Sequence, residues 1–63
     1  MRFSDLIEII DMDTELCIET ERNERYIYPR DWDISEFENN ILRSRVLDVR
    51  IEDGVLVIDI EKG

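Results

Sequence analysis

RVLDVRIEDGVLVIDIE, residues 45–61, alternates apolar and polar side chains on both sides of Asp53-Gly54. A period of two is the signature of a strand, and Asp-Gly supplies the two positive-φ positions of a type I′ turn, so the segment predicts a β-hairpin. With a two-residue loop, Glu52 pairs with Val55 and Ile51 with Leu56. Leu47, Val49, Ile51, Leu56, Ile58 and Ile60 then share one apolar face, the expected core. The other face carries Val46, Asp48, Arg50, Glu52, Val55, Val57 and Asp59. This register sets Asp48 directly across from Asp59, a like-charge pair that needs a cation such as Arg50 on the diagonal.

Upstream of the hairpin the period changes twice. Phe3, Leu6, Ile7 and Ile10 recur at helical spacing, with Ser4 as the expected N-cap and Asp5 and Glu8 near the positive end of the helix. From Glu15 the period becomes two, with Leu16 and Ile18 on one side and Glu15, Cys17 and Glu19 on the other. ERNE (21–24) reads as a turn, and RYIYP (25–29) as a returning strand that Pro29 confines to an edge or a strand end. Tyr26 and Tyr28 share a side of that strand, either inward as core or outward as an interface patch. WDISEFENNIL (32–42) predicts a second short helix, capped either by Asp33, with Glu36 closing a capping box and Trp32 stapled to Phe37, or half a turn later by a box of Ser35 with Glu38.

The expected fold is therefore α+β: a four-stranded, largely antiparallel sheet with two short helices on one face, in the order α-β-β-α-β-β. Residues 1–63 make a single small domain. The halves echo each other at an offset of 31, pairing Leu16 with Leu47 and Ile18 with Val49, which two similar motifs would also produce. A chain of this length buries only about 60% of its unfolded surface, so self-association would assist it. Val46, Val55 and Val57 are the expected oligomer interface, with a free strand edge as a further route.

Composition excludes several chemistries. With no histidine and the single Cys17, there is no Ser-His-Asp or Cys-His catalytic set, no four-ligand zinc site and no internal disulfide. The only glycines are Gly54 and Gly63, so no phosphate-binding glycine loop exists. No cofactor is expected. The opening segment is too short and acidic for a secretory signal, and no apolar run approaches the ~20 residues that span a bilayer. These features read as a soluble, cytoplasmic protein with no membrane partner.

Seventeen acids against eight bases give a net charge of −9, which disfavours direct nucleic-acid binding. Between Asp5 and Glu21 there are seven acids and no base. Asp11, Asp13, Glu15, Glu19 and Glu21 form an alternating acidic row, and alternate strand residues lie about 6.6–6.8 Å apart on one face. Such a row can meet the arginines and lysines that another protein uses to hold nucleic acid, which makes these five acids, with Tyr26 and Tyr28, the candidate partner-binding residues. Asp11, Asp13 and Glu15 are also weak candidate ligands for Mg²⁺ or Mn²⁺. Gathered in an oligomer, they would make a metal-dependent DNA-nicking or DNA-topology-altering factor. A further alternative is a structural homo-oligomer with no nucleic-acid target, whose acids serve solubility.

MRFSDLIEIIDMDTELCIET (1–20) together with VRIEDGVLVIDIE (49–61) resembles the very small acidic proteins carried by phages and prophages of Firmicutes. The likeness covers roughly half the chain and lies in pattern; the middle segment has no counterpart. The resemblance implies an inhibitor of host defence, of the anti-CRISPR type that blocks Cas9. Its partner would be a protein with a basic nucleic-acid-binding surface, such as a Cas nuclease. Read this way, the chain is an interaction protein before it is an enzyme, and acidic mimicry of nucleic acid is its expected mode of action.

Overall fold

The computed structural model describes Met1–Lys62. Its elements are α1 (Phe3–Ile7), β1 (Leu16–Thr20), β2 (Arg25–Tyr28), a 3₁₀ turn (Ile34–Glu36), α2 (Asn39–Leu42), β3 (Arg45–Glu52) and β4 (Val55–Glu61). The four strands form one sheet in the order β2-β1-β4-β3. Both hairpins are antiparallel, and they join through a parallel β1/β4 pair at the centre. The architecture is the expected α+β one.

The closing hairpin has the expected turn, with φ of 51° at Asp53 and 80° at Gly54. Pairing from Glu52↔Val55 to Asp48↔Asp59 follows the expected register. Beyond Asp48 it does not. A bulge at Leu47 sets Val46, and not Leu47, opposite Ile60. Val46 thereby crosses to the helix-covered face and packs against the core, while Leu47 is left 48% exposed. The expected valine face of Val46, Val55 and Val57 is accordingly split. Val49 and Ile51 do lie on the core side, opposite Ile58 and Leu56, but the helices stop short of the β3 edge and leave them 43% and 74% exposed.

The core joins Leu16, Ile18, Ile58 and Ile60 of the central strands to Phe3, Ile7, Trp32, Phe37 and Ile41 from the covering layer. Tyr26 and Tyr28 pair with Ile18 and Leu16 and so point inward, packed against the core. Of the two open orientations the tyrosines take the apolar one, and Tyr28 lies 4.4 Å from the Phe37 ring, centroid to centroid. Burial pushes the Tyr28 hydroxyl above its usual pKa.

Two helix boundaries differ from expectation. The N-cap of α1 is Arg2, not Ser4, and the Asp5 carboxylate accepts the Arg2 N–H at 3.4 Å. The cause is the anchoring of the chain ahead of α1. Arg2 bridges Arg45, the Phe3 N–H donates to the Ser44 carbonyl at 2.8 Å, and the Met1 carbonyl accepts the Val46 N–H at 2.9 Å, so the backbone stays extended through Arg2. The second helix is broken. Asp33 and Glu36 form the expected capping box, and Trp32 stands edge-on to Phe37 at 5.4 Å, yet Phe37 itself is extended at φ −88°, ψ 133°. Packing of Phe37 against Phe3, Tyr28 and Trp32 holds Phe37 and Glu38 extended, and the helix resumes only at Asn39, as α2.

The corresponding residues at the offset of 31 sit in unlike places. Leu16 and Ile18 are fully buried on a central strand, whereas Leu47 and Val49 lie exposed on an edge strand.

Candidate functional site

The uncovered face of the sheet is built in rows across the strands. Ile27, Cys17, Val57 and Arg50 form one row, and Arg25, Glu19, Asp59 and Asp48 the next. Four carboxylates on this face share two guanidinium groups. Arg50 contacts Asp59 at 2.6 Å, Glu19 at 3.1 Å and Asp48 at 3.8 Å, and also pairs with Glu52. Arg25 takes the other oxygen of Glu19 at 2.5 Å. The planar, multiply donating guanidinium makes such sharing feasible where a lysine would serve one or two partners. Arg50 supplies the diagonal cation that the Asp48/Asp59 juxtaposition requires.

The network has two electrostatic effects. Arg25, backed by Arg50, holds the Glu19 carboxyl below the usual carboxylate range, and the Glu52 and Asp59 carboxylates raise the already high pKa of Arg50. Its long side chains also roof the middle of the open face. Cys17 and Val57 are only 6% and 4% exposed although no helix covers them. Burial pushes the Cys17 thiol above its usual pKa, which disfavours the thiolate. A shallow depression of about 200 Å³ opens here, floored by Cys17, Val55 and Val57 and bordered by Glu15, Arg25, Ile27, Glu52 and Asp53.

The five acids of the expected row are divided among four environments. Glu19 is neutralised on the sheet, as described. Glu21 lies in the β1–β2 turn, where its carboxylate accepts the Lys62 backbone N–H at 2.9 Å and is held below its usual pKa by that bond. Glu15 borders the depression, with its carbonyl accepting the Leu56 N–H. Asp11 and Asp13 precede the strand altogether, on a loop where the Asp11 side chain accepts the Asp13 N–H at 3.0 Å. The tyrosines do not join any of these acids at the surface: Tyr26 receives a hydrogen bond from Lys62 Nζ at 3.4 Å beneath the cation.

A different grouping of acids emerges from the fold. The Asp31 N–H donates to the Met12 carbonyl at 2.8 Å, and Trp32 Nε1 donates to the Thr14 carbonyl at 2.7 Å. These bonds fasten the loop of Asp11 and Asp13 to the loop of Asp31 and Asp33, and Glu36 accepts the Asp33 N–H at 2.5 Å. Among the described residues, none of Asp11, Asp13, Asp31, Asp33 or Glu36 takes part in an ion pair. All five are exposed. Asp31, Asp33 and Glu36 went unrecognised as partners of Asp11 and Asp13 because they lie about twenty residues away. The one signal for them is a tryptophan flanked by acids, since burying Trp32 must bring both neighbours along with it.

Asp11, Asp13 and Glu15 do not converge into a metal site: among the described residues no three acids or thiols stand close enough together to hold an ion. Among the described residues, too, no helix is long and apolar enough to cross a membrane. No protein-family model, curated protein or solved structure matches the chain.

Proposed function

We propose that the protein is a non-catalytic inhibitor that presents acidic surface to the nucleic-acid-binding channel of a host defence machine, a CRISPR nuclease being the leading target. One observation carries the reading. The acids of the sheet are paired with Arg25 and Arg50, whereas Asp11, Asp13, Asp31, Asp33 and Glu36 sit exposed on two pinned loops and make no ion pair among the described residues. Fixed, unneutralised carboxylates attract arginine and lysine from a distance and keep their charge for the partner. The mimicry is therefore centred on these loops, with Glu15 beside them, and not on Glu19 and Glu21, which the chain itself engages. The likeness to small acidic phage proteins supports a setting inside a bacterial host cell.

Competition with DNA for a Cas9-type effector, measured at several salt concentrations, tests this. The variant Asp11→Asn, Asp13→Asn, Asp31→Asn, Asp33→Asn keeps the loop geometry, including the cap, while removing four charges. It should lose most of its inhibition and much of its salt dependence, whereas Glu19→Gln should retain both. Undiminished inhibition by the fourfold variant overturns the reading.

A further inference from the structure

We propose that the free edge of β3 binds a second copy of this chain, the two strands pairing antiparallel about a two-fold axis at Val49. The inference goes beyond the inhibitor reading and does not depend on it. β3 is an outer strand of the sheet, hydrogen-bonded to β4 on one side only. Met1–Phe3 covers the beginning of its other side, through Arg2↔Arg45 and the Val46 N–H to Met1 carbonyl bond. Among the described residues, none pairs with the outer edge of the stretch from Leu47 to Glu52. It carries Leu47, Val49 and Ile51, which are among the exposed large apolar residues of the molecule. An open edge with apolar side chains is a template for another strand.

The sequence of β3 selects the register. Centring the pair on Asp48 sets Asp48 against its own copy, and centring it on Arg50 sets Arg50 against Arg50 and Asp48 against Glu52. Both stack like charges. An axis between two residues sets Val49, on the core side, against a residue of the opposite face. Centring on Ile51 joins only Arg50–Glu52 before the Asp53-Gly54 turn and leaves Val49 in water. Centring on Val49 alone spans Leu47–Ile51 and makes every position agree: Asp48 faces Arg50 twice, Val49 faces Val49, and Ile51 lies opposite the bulge at Leu47. The Asp48 side chain is 63% exposed and its contact with Arg50 in its own chain is 3.8 Å, so it is at liberty to take a second guanidinium. The product is an isologous dimer with one continuous sheet.

Sedimentation of the full chain at concentrations up to ~100 µM should show a species of twice the 7.6 kDa chain mass. Asp48→Arg turns both attractive cross-pairs repulsive and should weaken association roughly 10- to 100-fold. The same change relieves the Asp48/Asp59 clash within each chain, so the circular dichroism spectrum should persist and the melting temperature of the dissociated chain should hold or rise. Ile51→Lys should also dissociate the dimer without unfolding it. Val49→Cys, in a Cys17→Ala background, should oxidise to a covalent dimer, since opposed residues of antiparallel strands lie within disulfide reach. A monomer at every concentration overturns the proposal. So does Asp48→Arg association as tight as wild type, absence of the Val49→Cys cross-link, or dissociation by Val55→Asp alone, which would move the interface to the uncovered face.

Discussion

Trp32→Phe removes the clasp between the two acidic loops while keeping an aromatic ring in the core. Trp32 is 3% exposed, its indole N–H is 2.7 Å from the Thr14 carbonyl, and its ring meets Phe37 edge-on. Losing the hydrogen bond costs about 0.5–1.5 kcal/mol, more if the Thr14 carbonyl finds no water. Replacing the indole by a phenyl leaves a void and less buried apolar surface, roughly 1–2 kcal/mol further. The sum is about 1.5–3.5 kcal/mol, against a total stability for a chain of this size of roughly 3–9 kcal/mol. At about 4–8 °C per kcal/mol, the melting temperature should fall by roughly 6–28 °C. Because Trp32 is the only tryptophan, the assay is urea unfolding followed by circular dichroism, with the slope unchanged and the midpoint lowered. Amide exchange supplies a local readout, since the Asp31 N–H held by Met12 should lose protection beyond the global change. A stability loss under ~0.5 kcal/mol with Asp31 protection intact would refute the clasp, because it would leave neither the buried hydrogen bond nor the packing with a measurable contribution.

Two further outcomes test the sheet. Gly54→Ala should destabilise the protein by about 1–2 kcal/mol purely through the positive φ of 80°, because an added Cβ meets nothing within 4 Å; urea midpoints equal within a few tenths of a kcal/mol would contradict the turn. Glu19 and Glu21 have folded-state pKa values lowered by Arg25 and by the Lys62 N–H respectively. The stability they contribute is complete above the ordinary carboxylate value of 4.5 and is lost as pH falls through the lowered values. Glu19→Gln should thus be less stable at pH 7 yet lose less on acidification, and superimposable acid limbs of midpoint against pH would count against the ion network.

Much of the fold is legible in local pattern. The Asp53-Gly54 turn, the Glu52↔Val55 register and the Asp48↔Asp59 juxtaposition all follow from residue type and spacing, because a two-residue loop leaves no freedom in the pairing that follows it, whereas spacing leaves the Asp33/Glu36 and Ser35/Glu38 boxes both open and the fold takes the first. The bulge at Leu47 has no such signature: Val46 and Leu47 are both apolar, and the chain's choice between them is made by anchoring to Met1 and Ile60. Alternation places Tyr26 and Tyr28 on the same side of β2 without saying which, and Phe37 on the covering layer decides it. The candidate site was the least legible part. Charge in a sequence says how many carboxylates there are, whereas their use depends on which cations the fold brings within reach. Glu19 is consumed by Arg50 from 31 positions away, and Asp13 gains Asp31 as a neighbour only because Trp32 is buried.

The strand order has a consequence for how the molecule comes into being. β4, the last strand in chain order, lies between β1 and β3, and its parallel pairing with β1 joins the two hairpins of the sheet. Until Val55–Glu61 is free of the ribosome, Leu16 and Ile18 have no neighbour on their inner flank and the helices have half a surface to rest on. The sheet is complete only when contacts distant along the chain, those of β1 with β4, have formed, which slows folding. A chain without Val55–Glu61 would be an acidic, protease-sensitive coil, and its loops would hold none of their carboxylates in place.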